Sequence, residues 1–295
     1  MIGCTKLLCG TATVSDVIKY SGQENLPPQL LQFSDSYRPL VVWNVTNRCN
    51  LRCQHCYINA EDHQYKNELS TEEAQVFIKD LAQMKAPVLL FSGGEPLIRK
   101  DIIELGQMAA EMGLRPVISS NGTLIDDELA RKIRDAGFQY VGISIDGAPA
   151  THDKFRNRPG AFEAALNGIK ACMNNGIKTG IRFTVNRLNQ ADLSEIFDII
   201  ERESIPRFCM YHLVYAGRGE QMAELDTDHQ EKRAILDMVS SKTIELHRKG
   251  VEVEILTTDN HADGIYLYNY IKQNEPERAD EIIQLLEMHG GCSAG

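Results

Sequence analysis

The stretch IRFTVN, Ile181 to Asn186, puts Ile181, Phe183 and Val185 on one face of a strand and Arg182, Thr184 and Asn186 on the other. VGISID, Val141 to Asp146, repeats the pattern, with Val141, Ile143 and Ile145 opposed to Gly142, Ser144 and Asp146. A parallel strand buried on both sides is apolar on both sides. A polar face on two strands of one sheet therefore points to an interior that holds a ligand.

The sequence around these strands sets their context. The runs LVVWNV (40–45), PVLLFS (87–92), LRPVIS (114–119), QYVGISI (139–145), KTGIRFTV (178–185) and RFCMYHLV (207–214) alternate with segments of helical spacing. STEEAQVFIKDLAQM carries Ser70 three residues before Glu73, a capping box, and the segments DIIELGQMAAEMG and DDELARKIRDAG run into Gly113 and Gly137 as helix stops. Strands alternating with helices form βαβ units around a parallel sheet, and right-handed crossovers leave a doubly wound sheet or a barrel. A complete barrel would fill its centre with Val, Ile and Leu. The expected fold is therefore α/β: a partial (β/α)6 barrel over residues 39–215. An extension over 1–38 precedes it, a mostly helical addition containing the strand-like VEVEIL follows over 216–288, and a short terminal element occupies 289–295.

A net charge of -10 and the lack of a basic run argue against a nucleic-acid partner, because phosphate neutralisation needs clustered Lys and Arg. No apolar run approaches the ~20 residues that span a bilayer, and MIGCTKLLCG is not a charged n-region followed by an apolar segment. The expectation is a cytoplasmic protein without a membrane partner. In a reducing compartment the closely spaced cysteines of CNLRCQHCY, Cys49 to Tyr57, point to metal or redox chemistry rather than disulfides. Structural zinc takes four ligands, and His55 is cramped between Cys53 and Cys56. Iron–sulfur clusters normally take four cysteines, so three leave one iron open. In GGEP (93–96), residues without a Cβ let backbone approach a ligand closely, and Glu95 can accept from an ammonium.

The CxxxCxxC spacing of Cys49, Cys53 and Cys56 directly after the first barrel strand resembles the radical S-adenosylmethionine (SAM) superfamily, with His55 at the usual aromatic position. GGEP, SSNGTL (119–124) and ISIDG (143–147) match that family in place and kind. The resemblance implies a radical SAM barrel with a [4Fe-4S] cluster on the three cysteines and SAM on its open iron. It further implies that Gly93, Gly94 and Glu95 meet the SAM amino group, Ser144 its ribose, Arg156 its carboxylate, and Asn121 and Val185 its ribose and adenine. The activity implied is reductive cleavage of SAM to methionine and a 5′-deoxyadenosyl radical, with a low-potential ferredoxin or flavodoxin as electron donor.

TKLLCGTATVSDVIKY with LPPQLLQFS, YHLVYAGRGE (211–220) and ILTTDNHADGIYLY (255–268) are similar to radical SAM proteins of haem biosynthesis from sirohaem. That branch includes the didecarboxysirohaem deacetylase and the relatives that make d-type haem. The implied substrate is an iron tetrapyrrole bearing several carboxylates, which needs cations and an aromatic platform. Arg182, Arg207 and Arg218 are the candidate carboxylate partners, and Tyr211, His212, Tyr215 and His261 the candidate ring contacts. The branch also implies a cysteine-rich C-terminal domain with an auxiliary cluster; Cys292 matches its first cysteine, and the remaining ligands are expected to be missing from this sequence. A peptide-modifying radical SAM maturase is the second reading, and a non-catalytic metal or redox carrier the third.

Overall fold

The computed structural model describes residues 1–10 and 38–289; residues 11–37 of the expected extension, and Cys292, lie outside the described residues. The chain runs β1 (Ile2–Gly3), α1 (Cys4–Cys9), β2 (Val41–Thr46), α2 (Thr71–Gln83), β3 (Val88–Gly93), α3 (Ile102–Glu111), β4 (Arg115–Ser120), α4 (Asp127–Asp135) and β5 (Tyr140–Ser144). It continues through α5 (Pro149–Arg156), α6 (Ala161–Asn174), β6 (Thr179–Val185), α7 (Leu193–Glu203), β7 (Arg207–His212), α8 (His229–Arg248), β8 (Glu254–Thr258), α9 (Ala262–Asn274) and α10 (Ala279–His289). The result is an α/β fold in which the strands are mostly parallel. Each of the six expected strands is present, displaced by no more than two residues at either end.

Local chemistry accounts for the element ends. Ser70 Oγ accepts from the Glu73 N–H at 3.2 Å and Glu73 Oε2 accepts from the Ser70 N–H at 2.8 Å, so the capping box opens α2 as expected. Gly113 and Gly137 follow α3 and α4 with φ of +85° and +82°, the left-handed turn that ends a helix.

The described chain forms two compact units. The first is Arg38–Phe183 with Leu213–Leu225. Its strands pair in parallel, each with the next in sequence: Val42 opposite Leu90, Leu90 opposite Val117, Ile118 opposite Val141, and Ile143 opposite Ile181. A doubly wound sheet reverses its strand order at a switch point, and this succession has none. Val141, Ile143, Ile145, Ile181 and Phe183 are fully buried while Ser144 and Arg182 are half-buried, so the two faces differ as their alternation requires. Gly142 is covered by the Arg182 stem: a Cβ there would lie 2.8 Å from Arg182 Cδ. Asp146, on the polar side, is fully buried with a charge partner that belongs to the site below.

The second unit joins residues within Met1–Tyr37 to Thr184–His212 and Asp226–Gly295. β7 runs parallel to β8, with Met210 opposite Thr257, and β1 runs antiparallel on the other side of β8, with Ile2 opposite Thr257. Thr5 Oγ1 accepts from the Ile255 N–H at 2.8 Å and donates to the Val253 carbonyl, fastening α1 to the same strand. Arg278 donates to the carbonyls of Leu7 and Leu8 at 2.8 and 3.1 Å, satisfying the end of α1.

Two expected boundaries change as a result. The first ten residues belong to a core, with Ile2, Cys4, Leu7 and Leu8 buried, because the edge of β8 needs a pairing partner. Leu213–Leu225 groups with the first unit because Leu213 and Met222 pack on Phe155. Among the described residues no helix is long and apolar enough to cross a membrane.

Candidate active site

The loop after β2 carries Cys49, Cys53 and Cys56, all free thiols. Each sulfur receives an N–H donor. Leu51 N–H points to Cys49 Sγ at 3.4 Å, Ala60 N–H to Cys56 Sγ at 3.3 Å, and Arg156 Nη1 to Cys53 Sγ at 3.3 Å. Asn121 Nδ2 adds a long contact of 3.8 Å to Cys49 Sγ. Donors aimed at sulfur stabilise thiolate and tune an iron–sulfur cluster. Burial pushes the Cys49 thiol up to about 12, with smaller contributions from Cys53 and Cys56, so the three thiols lie within electrostatic reach of one another. Bound iron would remove their protons and the mutual repulsion of the thiolates. The donor set, three cysteines with directed N–H groups, fits a [4Fe-4S] cluster.

The loop after β3 crosses directly beneath this one. Gly94 N–H donates to Thr46 O at 2.8 Å and Glu95 N–H to Arg48 O at 2.9 Å. A Cβ on Gly94 would sit 2.2 Å from Arg48 O, and one on Gly93, at φ +121°, 2.3 Å from Thr46 O. The two glycines are therefore required by the approach of the cysteine loop. Glu95 is fully buried and accepts from Leu97 N–H at 3.1 Å, Asn121 N–H at 2.8 Å and Ser120 Oγ at 2.9 Å. Burial outweighs those donors and raises its carboxyl to about 7.

Asn121 links the loop after β4 to the cysteine loop by donating to Asn50 Oδ1 at 2.8 Å. Ser144 ends β5 half-buried, and Val185 ends β6 fully buried. Arg156, at the end of α5, is buried, paired with Asp146 and hydrogen-bonded to Cys53. This pairing offsets the cost of burying the Asp146 charge. The Arg156 Nε is buried and has no hydrogen-bond partner. His55 stacks on Phe155 with centroids 4.5 Å apart and planes 9° off parallel. Burial lowers His55 to about 4 and His152 to about 3, so both are neutral at neutral pH; His152 Nδ1 accepts from the Asp146 N–H at 3.0 Å.

The substrate candidates divide by position. Arg182 reaches Ser119 Oγ along the polar face of β5 and β6. Arg218 is committed to the cysteine loop, with Nε 2.7 Å from Cys53 O and both terminal nitrogens 3.1 Å from Ala60 O. In the second unit Arg207 starts β7 and pairs with Glu254 at 3.3 Å, at the strand end opposite the one where α/β sheets place their sites. His212 ends β7 and is buried, its Nε2 2.8 Å from Asp263 Oδ2. Tyr211 is half-buried, and Tyr215 and His261 are exposed.

Sequence reasoning missed two members of this site. Tyr57, next to Cys56, donates to Asn44 Oδ1 at 2.9 Å and lies 3.4 Å from Ser92 Oγ, setting its ring against β2 and β3. Its place directly after the third cysteine was the available signal. Asp146 was visible only as a polar strand residue, and its charge partner lies ten residues on.

The model of the family described as the radical SAM superfamily matches residues 43–200, which contain the cysteine loop, GGEP and the Arg156 pair. The chain belongs to the radical SAM superfamily. It groups with the haem-biosynthesis branch. It is 52% identical over its whole length to the Fe-coproporphyrin III synthase of Methanosarcina barkeri, covering 74% of that protein. It is 38% identical to the pre-heme d1 synthase of Dinoroseobacter shibae, over 91% of this chain and 67% of that one. An AdoMet-dependent heme synthase of Oleidesulfovibrio alaskensis is 38% identical over 78% of this chain and 60% of that one.

Among solved structures, Streptococcus suis SuiB bound to S-adenosylmethionine superposes with a TM-score of 0.66 at 17% identity, over 87% of this chain and 56% of that one. Native anSMEcpe with bound AdoMet superposes with a TM-score of 0.62 at 18% identity, over 74% of this chain and 63% of that one. At such identities the likeness is one of fold, and it agrees with the partial radical SAM barrel expected from the sequence.

Proposed function

We propose that this radical SAM protein alters a side chain of a sirohaem-derived iron tetrapyrrole, with acetate removal as the reaction and an iron porphyrin of the coproporphyrin type as the product. The observation that carries the reading is the 52% identity, across the whole chain, to an Fe-coproporphyrin III synthase. A cluster on Cys49, Cys53 and Cys56 would supply the electron that cleaves SAM, and a low-potential ferredoxin or flavodoxin would supply the cluster.

The roles assigned to this chain's own residues follow from their surroundings. The backbone at Gly93 and Gly94 meets the SAM amino group, where neither residue adds a Cβ. Glu95 sits beneath them, held by the Leu97 and Asn121 N–H groups and the Ser120 hydroxyl, as the carboxyl group nearest the amino-group site. Arg156, oriented by Asp146, offers its Nε to the SAM carboxylate. Ser144 and Asn121 take the ribose. Arg182, on the polar strand face, is the favoured partner for a tetrapyrrole carboxylate. Arg218 drops out because its guanidinium serves loop carbonyls.

An open cavity of about 640 Å³ beside the cysteine loop, lined by Cys49, Arg52, His63 and Arg158 among others, offers the electron donor an approach from outside. The test is anaerobic reconstitution followed by a product assay with didecarboxysirohaem. The expected result is uptake of about four irons, a reduced-cluster EPR signal that SAM perturbs, and acetate release from the tetrapyrrole. A loaded protein that cleaves SAM but neither binds nor alters the tetrapyrrole would overturn the substrate assignment.

A further inference from the structure

Two of three consecutive residues after β7, Gly217 and Arg218, lie directly against the cysteine loop. The Arg218 N–H donates to Cys56 O at 2.9 Å. Its side chain donates through Nε to Cys53 O at 2.7 Å and through Nη1 and Nη2 to Ala60 O at 3.1 Å. A Cβ on Gly217 would fall 2.4 Å from Cys56 O and 2.7 Å from Tyr57 C, while one on Gly219 would clash within its own segment, 2.5 Å from Val214 O. At Gly217 the backbone thus touches the loop where no side chain fits.

A loop without regular structure leaves its carbonyls in need of donors, and a guanidinium is the side chain that can serve two of them with fixed geometry. The carbonyls chosen are those of two of the three cysteines and of Ala60, whose own N–H points at Cys56 Sγ. The segment is anchored independently, because Leu213 and Met222 pack on Phe155 and the Gln54 N–H donates to Phe155 O at 3.0 Å.

We propose that Arg218 is a positioning residue whose side chain fixes the backbone of Cys53 and of Ala60, and through the Ala60 N–H the Cys56 sulfur, for an iron–sulfur cluster, making Gly217–Gly219 a clasp that retains the cluster. The role rests on the cysteines being the cluster ligands and not on which substrate is used. It acts through the loop backbone, so its measure is how long iron stays bound.

The experiment loads the wild-type protein, Arg218→Ala and Arg218→Lys with iron and sulfide, then follows iron release to a ferrous chelator, the EPR spectrum of the reduced cluster and the melting of the metal-free protein. Arg218→Ala should release iron roughly tenfold faster or more, in the range seen when groups supporting metal ligands are removed, with an altered EPR line shape. Arg218→Lys should resemble it, since an ammonium cannot bridge both carbonyls, and added guanidinium should slow release from Arg218→Ala. If Arg218→Ala does not fold, Arg218→Lys alone decides: iron retention equal to wild type overturns the proposal. Wild-type release rates in a folded Arg218→Ala, or rescue by lysine without rescue by guanidinium, overturn it as well. Because no tetrapyrrole enters the assay, a wrong substrate assignment leaves the result unaffected.

Discussion

Cys49 and Cys172 are buried cysteines whose thiols are both pushed up to about 12, and only one of them lies in the loop proposed to hold a cluster. Cys172 sits in α6, where burial alone raises it. Cys49 has two other thiols beside it, a backbone N–H aimed at its sulfur and an asparagine at longer range. Burial marks a cysteine as core. Directed donors and neighbouring thiols mark it as a ligand.

The sharpest way to break this comparison is to remove one cysteine from each region. Cys53→Ala should abolish iron binding and SAM cleavage, measured as iron content and 5′-deoxyadenosine formation; retained cleavage would remove Cys53 from the ligand set. Cys172→Ala should leave both intact and lower stability by about 1 kcal/mol in urea unfolding.

The second largest effect lies under the cysteine loop, in Glu95. Its folded pKa is raised from 4.5 to about 7, so its contribution to stability is complete below pH 4.5 and is lost as pH rises through 7. The shift corresponds to ~3 kcal/mol across that window. Unfolding of the metal-free protein between pH 5 and 7.5 should show this decline in the wild type and a flatter profile in Glu95→Gln; parallel profiles would mean that Glu95 titrates normally.

The third comparison sets one glycine against another. Gly94→Ala would drive a Cβ to 2.2 Å from the Arg48 carbonyl, and Gly113→Ala, at the end of α3, would meet nothing within 4 Å. The former should cost about 2 kcal/mol or more and reduce iron uptake, the latter about 1 kcal/mol for its positive φ with uptake unchanged. Smallest of all, Ser70→Ala removes the α2 cap and should cost about 1 kcal/mol, with no change in iron content.

The legibility of this chain follows the range of its interactions. Strands β2 to β7 could be read because alternation and β-branching are local, and the three cysteines and GGEP because their chemistry is carried by residues close in sequence. The pairing of β1 with β8 could not be read, since Ile2 and Thr257 meet across nearly the whole chain and two residues carry no periodicity. Arg218 looked like a substrate cation because its partners, the carbonyls of Cys53 and Ala60, are backbone groups that no sequence pattern announces. Arg207 opens both the expected strand run and β7, so its place at the strand start was legible; its ion pair with Glu254, on another strand, was not.

The pairing of β1 with β8 also dictates an order of assembly during translation. A ribosome emits Ile2 and Gly3 about 250 residues before the strand they pair with, and domains tend to fold as units as they emerge. The continuous run Arg38–Phe183 can close its five parallel strands while the first residues still wait. The cysteine loop therefore takes shape early, and Arg218 fastens it only when Leu213–Leu225 has emerged. Iron delivered to a nascent chain before that point would meet a loop whose cysteines are present and not yet clasped.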